Sequence, residues 1–294
     1  MTKPFLRAAA CLLVALGVPL HAAAAAFLWE VSSMTNKVYL YGTVHAGKAE
    51  WYPLPAVVEQ ALAASDALVV EADISDVDAL RKSQPTSFVP PDTLSKHVDP
   101  AAYERFRKLL PRFSLPESQV VQMRPFMAVS LLVFGEWARL GYKPEYAVEA
   151  YLIAKAQQAR KPVREIEGVE AQVELIDSLT EEQNKRIFEG TVDALDSGLA
   201  DEQIKGMVKA WQEGDPRALL EVARRYNEKV KGAAELEEKF VWSRHDAMTK
   251  KVESYLNESK DRCFVAVGAL HLAGPRGLVE ILRKRGYIVR QLGT

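Results

Sequence analysis

Apolar and polar positions change their period twice along this chain. Residues 27–73 hold short, dense apolar runs: FLWEVSS, then KVYLYGTVH, then DALVVEAD. Such β-branched and aromatic runs predict strands. Between the last two lies PAVVEQALAAS, whose apolar spacing of three and four predicts a helix. Residues 260–292 repeat that order: CFVAVGALH, then GLVEILRKRG, then YIVRQL. Between these ends, about 100–257 is amphipathic with helical period, as in AAYERFRKLL, FMAVSLLVFGEWARLG and DPRALLEVARRYNEKV. Asp99-Pro100 and Asp215-Pro216 each set an N-cap residue before a first-turn proline. Thr180 followed by Gln183 fits a capping box. Pro162 ends one helix and leaves KPVREIE as a short strand. Residues 84–95, with three prolines, read as a loop.

The two ends share more than element order. Each has an apolar strand closing in G-x-x-H, Gly42 to His45 and Gly268 to His271, followed by a helix and a second strand. The predicted fold is therefore mixed α/β. A central mixed sheet is built from two related β-α-β halves, residues 27–80 and 260–294, flanked by helices, with a large all-helical insertion at 100–257. Residues 27–294 read as one domain. Ligands bind at the carboxyl ends of strands in such sheets, which is where both histidines fall.

Composition narrows the setting. Lys3 and Arg7 precede the apolar stretch 8–20, and the small residues of HAAAAAF follow. That is the pattern of a signal peptide over 1–26, too short for a comfortable membrane span, which needs about 20 apolar residues. A periplasmic or secreted protein with no stable span after cleavage is expected. The net charge of −1 gives no basic field for nucleic acid. Of two cysteines, Cys11 leaves with the signal, so Cys263 has no partner and reads as a buried core residue. The elbow G-x-S-x-G, the P-loop, H-E-x-x-H and C-x-x-C are all absent. Those absences argue against an ordinary serine hydrolase, an NTPase, a zincin and a thiol oxidoreductase.

Four histidines remain after residue 26, and two of them close the repeated motif. Gly42 and Gly268 allow a sharp turn and close approach to a ligand. The imidazoles of His45 and His271 then enter the crevice, where they can ligate metal or transfer protons. Glu71, at the end of ALVV, falls on the same rim, and Asp73 shares its strand face by period two. Either could complete a metal set or act as general base. Arg244 lies on the apolar stripe Phe240, Met248, Val252, Leu256, so it needs a carboxylate or ligand partner. It could steady Glu71 or a substrate oxyanion. His245 adjoins it, and Glu167 is one more carboxylate at a strand-to-helix edge. His97 sits in a polar helix entry and reads as solvated.

These segments taken together resemble the TraB/GumN family, related to the Tiki metalloproteases. The matching stretches are LYGTVH with YPLP, ALVVEAD, FVPPDTLS, MRPF, REIEGVEAQ, AWQEGDPRALL and FVAVGALHLAGPRGLVEILRKRGYIV. The resemblance implies an erythromycin-esterase-like or ChaN-like α/β fold. It implies a divalent-metal site formed by His45, His271 and Glu71, with Arg244 as a further catalytic residue. It implies peptide or protein hydrolysis with manganese or cobalt favoured and zinc as a third candidate. The chain departs from the family in carrying His245 where an asparagine is usual, which opens the question of an added ligand. The competing expectation is a non-catalytic binding protein that holds a peptide, signal molecule or haem-like ligand in the same crevice.

Overall fold

A computed structural model describes residues 25–82 and 87–293. Residues 1–24 of the expected signal segment, and 84–86 of the proline loop, lie outside the described residues. Six strands form one sheet: β1 (Leu28–Ser32), β2 (Lys37–Thr43), β3 (Ala67–Val70), β4 (Val163–Glu165), β5 (Cys263–Gly268) and β6 (Ile288–Leu292). Their spatial order is β4-β3-β5-β2-β1-β6. β1 is antiparallel to both its neighbours; every other pairing is parallel. The middle strands explain their own sequences. A parallel strand covered on both faces has no solvent side, so it reads as an unbroken apolar run. Ala67–Val70 and Cys263–Val267 are such runs, and each is buried.

The two β-α-β units run in opposite directions. From β2 the chain passes through helix Ala56–Ala64 and crosses β5 to reach β3. From β5 it passes through helix Leu278–Lys284 and crosses β2 and β1 to reach β6. β2 and β5 are thus parallel neighbours whose connections diverge, the topology that opens a crevice beyond the strand ends. The expected mixed sheet is present, but the halves are not interchangeable. β3 is flanked by β5 and β4, whereas β6 is an edge strand on antiparallel β1. The motifs are also offset: Thr43, not Gly42, lies opposite Gly268.

The middle of the chain is helical as expected, with β4 returning to pair beside β3. Its helices form a second apolar core that includes Phe106, Leu132, Phe188 and Val192, while the first core covers the sheet. The capping signals act as read. Asp99 accepts from Ala102 N and Asp215 from Arg217 N and Ala218 N, and the Thr180/Gln183 box is complete. One expectation fails. The stripe from Phe240 to Leu256 is not one helix: helix Ala233–Phe240 stops, Trp242–Arg244 forms a 3₁₀ turn, and helix His245–Asn257 follows. Among the described residues no helix is long and apolar enough to cross a membrane. Cys263 is a free, fully buried cysteine in β5, and burial pushes its thiol up to about 11.

Candidate active site

Both motif histidines stand beyond the ends of β2 and β5, and each is gripped from behind. His45 Nδ1 lies 2.8 Å from Glu149 Oε1, which also accepts from Thr43 Oγ1. The ring leaves 68% of its side chain accessible and lines the cavity. The Glu149 carboxylate pushes His45 up to about 9. His271 is the opposite case, 4% exposed. Its Nδ1 lies 2.9 Å from His245 Nε2, and its Nε2 lies 3.2 Å from Arg244 Nη1 and 3.7 Å from Glu71 Oε1. Burial pushes His271 down to about 3, so this ring is neutral at pH 7.

Glu71 sits between them, just past β3. Oε1 accepts from the Gly268 N–H at 2.7 Å. Oε2 accepts from Arg244 Nη2 at 2.5 Å, with Gln172 Nε2 at 3.4 Å. Burial alone would raise this carboxyl. Positive charge on His271, Arg244 and His45, with the Gly268 N–H, holds it down at about 2. Because His271 is neutral at pH 7, Arg244 is the buried cation that keeps Glu71 ionised there. Arg244 also bonds both oxygens of Glu167. The arginine therefore has the carboxylate partner its apolar surroundings required, and in fact two.

Other candidates fall elsewhere. β3 ends at Val70, so Glu71 and Asp73 do not share a strand face. Asp73 instead accepts from Ser75 N and Oγ in a local turn and is absent from the cavity lining. Glu167 acts on Arg244 rather than on the cavity. His245 is no added cavity ligand: it is 3% exposed and packs behind His271. His97 is not merely solvated, since it bonds Asp92 and stacks on Phe88 at 4.1 Å. The paired glycines have different jobs. A Cβ on Gly42 would lie 2.5 Å from the Phe27 ring and 2.9 Å from Ala269 Cα, so this glycine serves packing. A Cβ on Gly268 would lie 3.4 Å from Glu71 Oε1, 3.5 Å from His271 Cδ2 and 4.0 Å from His45 Nε2. Three candidate groups thus face one small space that only glycine leaves open.

That donor set, two imidazole nitrogens and a carboxylate, fits a divalent cation in kind. As the side chains stand, no three His, Cys, Asp or Glu groups among the described residues are arranged to hold one ion. Arg244 bonds Glu71 Oε2 and His271 Nε2. A cation held by all three groups requires Arg244 to release His271. The space opens into a cavity of about 540 Å³. Its walls are largely apolar, with Phe126, Phe134 and Trp137 from helix Pro125–Arg139, Leu175 and Ile176 from helix Val169–Asp177, and Met207.

Glu149 escaped the sequence reading. An acidic residue in the first turn of helix Val148–Gln158 looks like an ordinary partner of the helix dipole. Nothing local in YAVEAY marks it as the support of a histidine 104 positions earlier. Trp211 is similar: its Nε1 donates to the Gly42 carbonyl at 2.7 Å, tying the AWQEGDP segment to the first motif.

The chain is similar in sequence to several known proteins. The uncharacterized protein YbaP of Escherichia coli K12 is 24% identical over 263 residues, covering 87% of this chain and 93% of its own. A metalloprotease TIKI homolog of Amphimedon queenslandica is 22% identical over 317 residues, covering 91% of this chain and 62% of its own. Another from Nematostella vectensis is 21% identical over 313 residues, covering 90% and 66%. No solved structure matches. The sequence profile of the TraB/PrgY/gumN family matches residues 27–291, and the chain belongs to that family.

Proposed function

We propose that this protein is an exported, metal-dependent hydrolase that cleaves peptides beside apolar side chains. The observation that carries the reading is the convergence of His45, Glu71 and His271 on the space above Gly268. The distant similarity to proteins named as metalloproteases supports the reaction class. The apolar cavity walls support the substrate class.

His45 and His271, through Nε2, and Glu71 would hold the cation, with manganese or cobalt the first candidates and zinc the third. When bound, such an ion polarises a carbonyl and lowers the pKa of a ligated water. The chain's own residues do the rest. Arg244, once off His271 Nε2, keeps one guanidinium edge on Glu167 and presents the freed Nη1–H to a developing oxyanion. Phe126, Phe134 and Trp137 exclude water from one wall and seat an apolar side chain of the substrate. Glu149 keeps His45 aimed by its Nδ1–H. The Glu149 carboxylate favours the protonated form of His45, so a proton competes with the cation for Nε2 and cation affinity rises with pH.

The test is elemental analysis of purified protein, followed by hydrolysis of a peptide library with added Mn²⁺. Wild type is expected to cleave and His45→Ala and His271→Ala are expected not to. Equal activity in all three, or none in any with metal supplied, overturns the proposal. A second reading, a binding protein for a peptide, signal molecule or haem-like ligand, is favoured by one observation. Arg244 occupies both Glu71 Oε2 and His271 Nε2 with its own N–H groups. Native mass spectrometry showing a retained organic ligand and no metal would select it.

A further inference from the structure

His245 has no contact with the cavity, yet it is tied to the most buried group of the site. Its Nδ1 lies 2.6 Å from the Arg276 carbonyl oxygen and its Nε2 lies 2.9 Å from His271 Nδ1. His271 Nε2 in turn faces Arg244 Nη1 at 3.2 Å. The ends of this three-contact chain have fixed polarity. A backbone carbonyl only accepts and a guanidinium only donates. The proton of His245 must therefore sit on Nδ1, which leaves a lone pair on Nε2. That lone pair accepts from His271 Nδ1–H, and the lone pair of His271 then sits on Nε2. Any other assignment fails. A proton on His271 Nε2 would face the N–H of Arg244, and a proton on His245 Nε2 would face either another N–H or a ring forced into that same clash. Only one of the neutral tautomer pairs satisfies all three contacts.

We propose that His245 is a positioning residue that fixes the tautomer of His271, so that the His271 Nε2 lone pair points toward the space shared with Glu71. The proposal rests on the reading that His271 works through Nε2. The imidazole suits this role because it passes hydrogen-bond polarity from one side of the ring to the other, from the Arg276 carbonyl to a ring that no carbonyl reaches. Trp242 packs its ring edge-on against His245 at 5.3 Å, and the burial of both histidines keeps water from competing.

Long-range ¹H–¹⁵N spectra of the metal-free protein at neutral pH distinguish a protonated ring nitrogen from one with a lone pair. Wild-type His271 is expected as the single Nδ1–H form. His245→Asn keeps an acceptor, the amide oxygen, and is expected to retain it. His245→Phe keeps the bulk but no acceptor, and is expected to give the Nε2–H form or a mixture. In parallel, Mn²⁺ affinity is expected to fall about 10–100-fold in His245→Phe, with partial recovery in His245→Asn. A wild-type His271 protonated on Nε2, or an unchanged tautomer in His245→Phe, overturns the proposal. Wild-type protein that binds no Mn²⁺ sinks the metal reading instead, while the metal-free spectra still decide the role of His245.

Discussion

At the scale of the residue, Arg244 decides how much charge this site can bury. It is 11% exposed and touches two carboxylates, Glu71 at 12% and Glu167 at 14%. Removing one member of a buried ionic group leaves the others uncompensated, which costs about 3–5 kcal/mol. Arg244→Met is expected to lose that much in urea denaturation, and Glu167→Gln added to it is expected to restore part. A loss under about 1 kcal/mol would show that solvent already screens the cluster. The histidines predict a stability maximum near neutrality. Folding lowers His271 from 6.5 to about 3, through burial, so the unfolded chain binds a proton the folded ring refuses. Its contribution is whole above pH 6.5 and is lost as pH falls toward 3. His45 has the reverse sign, since Glu149 raises it, with Glu71 assisting and Arg244 opposing. Its contribution is whole below pH 6.5 and is lost as pH rises through about 9. Urea midpoints measured across pH are expected to fall on both sides. His271→Asn should flatten the acid limb and Glu149→Gln the alkaline limb. Four of the groups in this cluster, His45, Glu71, Arg244 and His271, were legible from the chain because two sit in a repeat, one ends a strand and one is a charge on an apolar stripe. Glu149 was not, because its partner is remote in sequence and its own surroundings are those of any amphipathic helix.

At the scale of the element, the G-x-x-H repeat shows how one pattern serves two ends. Both glycines follow an apolar strand, and sequence gives them one meaning. The structure separates them, because β2 and β5 lie side by side with a one-residue offset and only β5 ends against Glu71. Gly42→Ala forces a Cβ into Phe27 and the Ala269 backbone, an overpacking expected to cost about 1–3 kcal/mol. Gly268→Ala makes only ordinary contacts, so thermal denaturation is expected to move little. Its methyl fills the space between His45, Glu71 and His271, so Mn²⁺ binding is expected to be lost. The reverse ranking of the two variants would show that the second glycine also serves packing. The interrupted helix teaches the same lesson. A spacing of four correctly put Arg244 toward the interior, but the 3₁₀ turn at Trp242–Arg244 is what swings it onto Glu71 and Glu167. Bonds from Arg244 to both carboxylates and to the Phe240 carbonyl hold that break in place, and periodicity does not register such contacts.

At the scale of the molecule, the cavity is a joint product of two cores. The sheet supplies the polar floor, and helices of the middle segment supply the walls. Phe134 is a large apolar residue left 44% exposed, on the helix that also carries Phe126 and Trp137. A wall that binds substrate equally in ground and transition states changes KM and leaves kcat alone. Trp137→Ala is therefore expected to raise KM for peptides with a large apolar residue at the cleaved bond, with kcat within about twofold. A fall in kcat at constant KM would place Trp137 in the chemistry rather than in the wall.

The sequence by itself determined the strands, the helices apart from the break at Trp242–Arg244, their caps and the two polar turns. Those follow from local period and local hydrogen bonding, which depend on neighbours within about four residues. Tertiary structure alone decided that the two β-α-β connections diverge, that Thr43 rather than Gly42 stands beside Gly268, and that Glu149 and His245 back the two histidines. Strand order and the hydrogen bonds behind these histidines join residues beyond local reach, 104 positions apart for His45 and Glu149 and 26 for His245 and His271. No window of the chain holds both partners, so their meeting becomes visible only when the sheet closes and the helical middle packs over its edge.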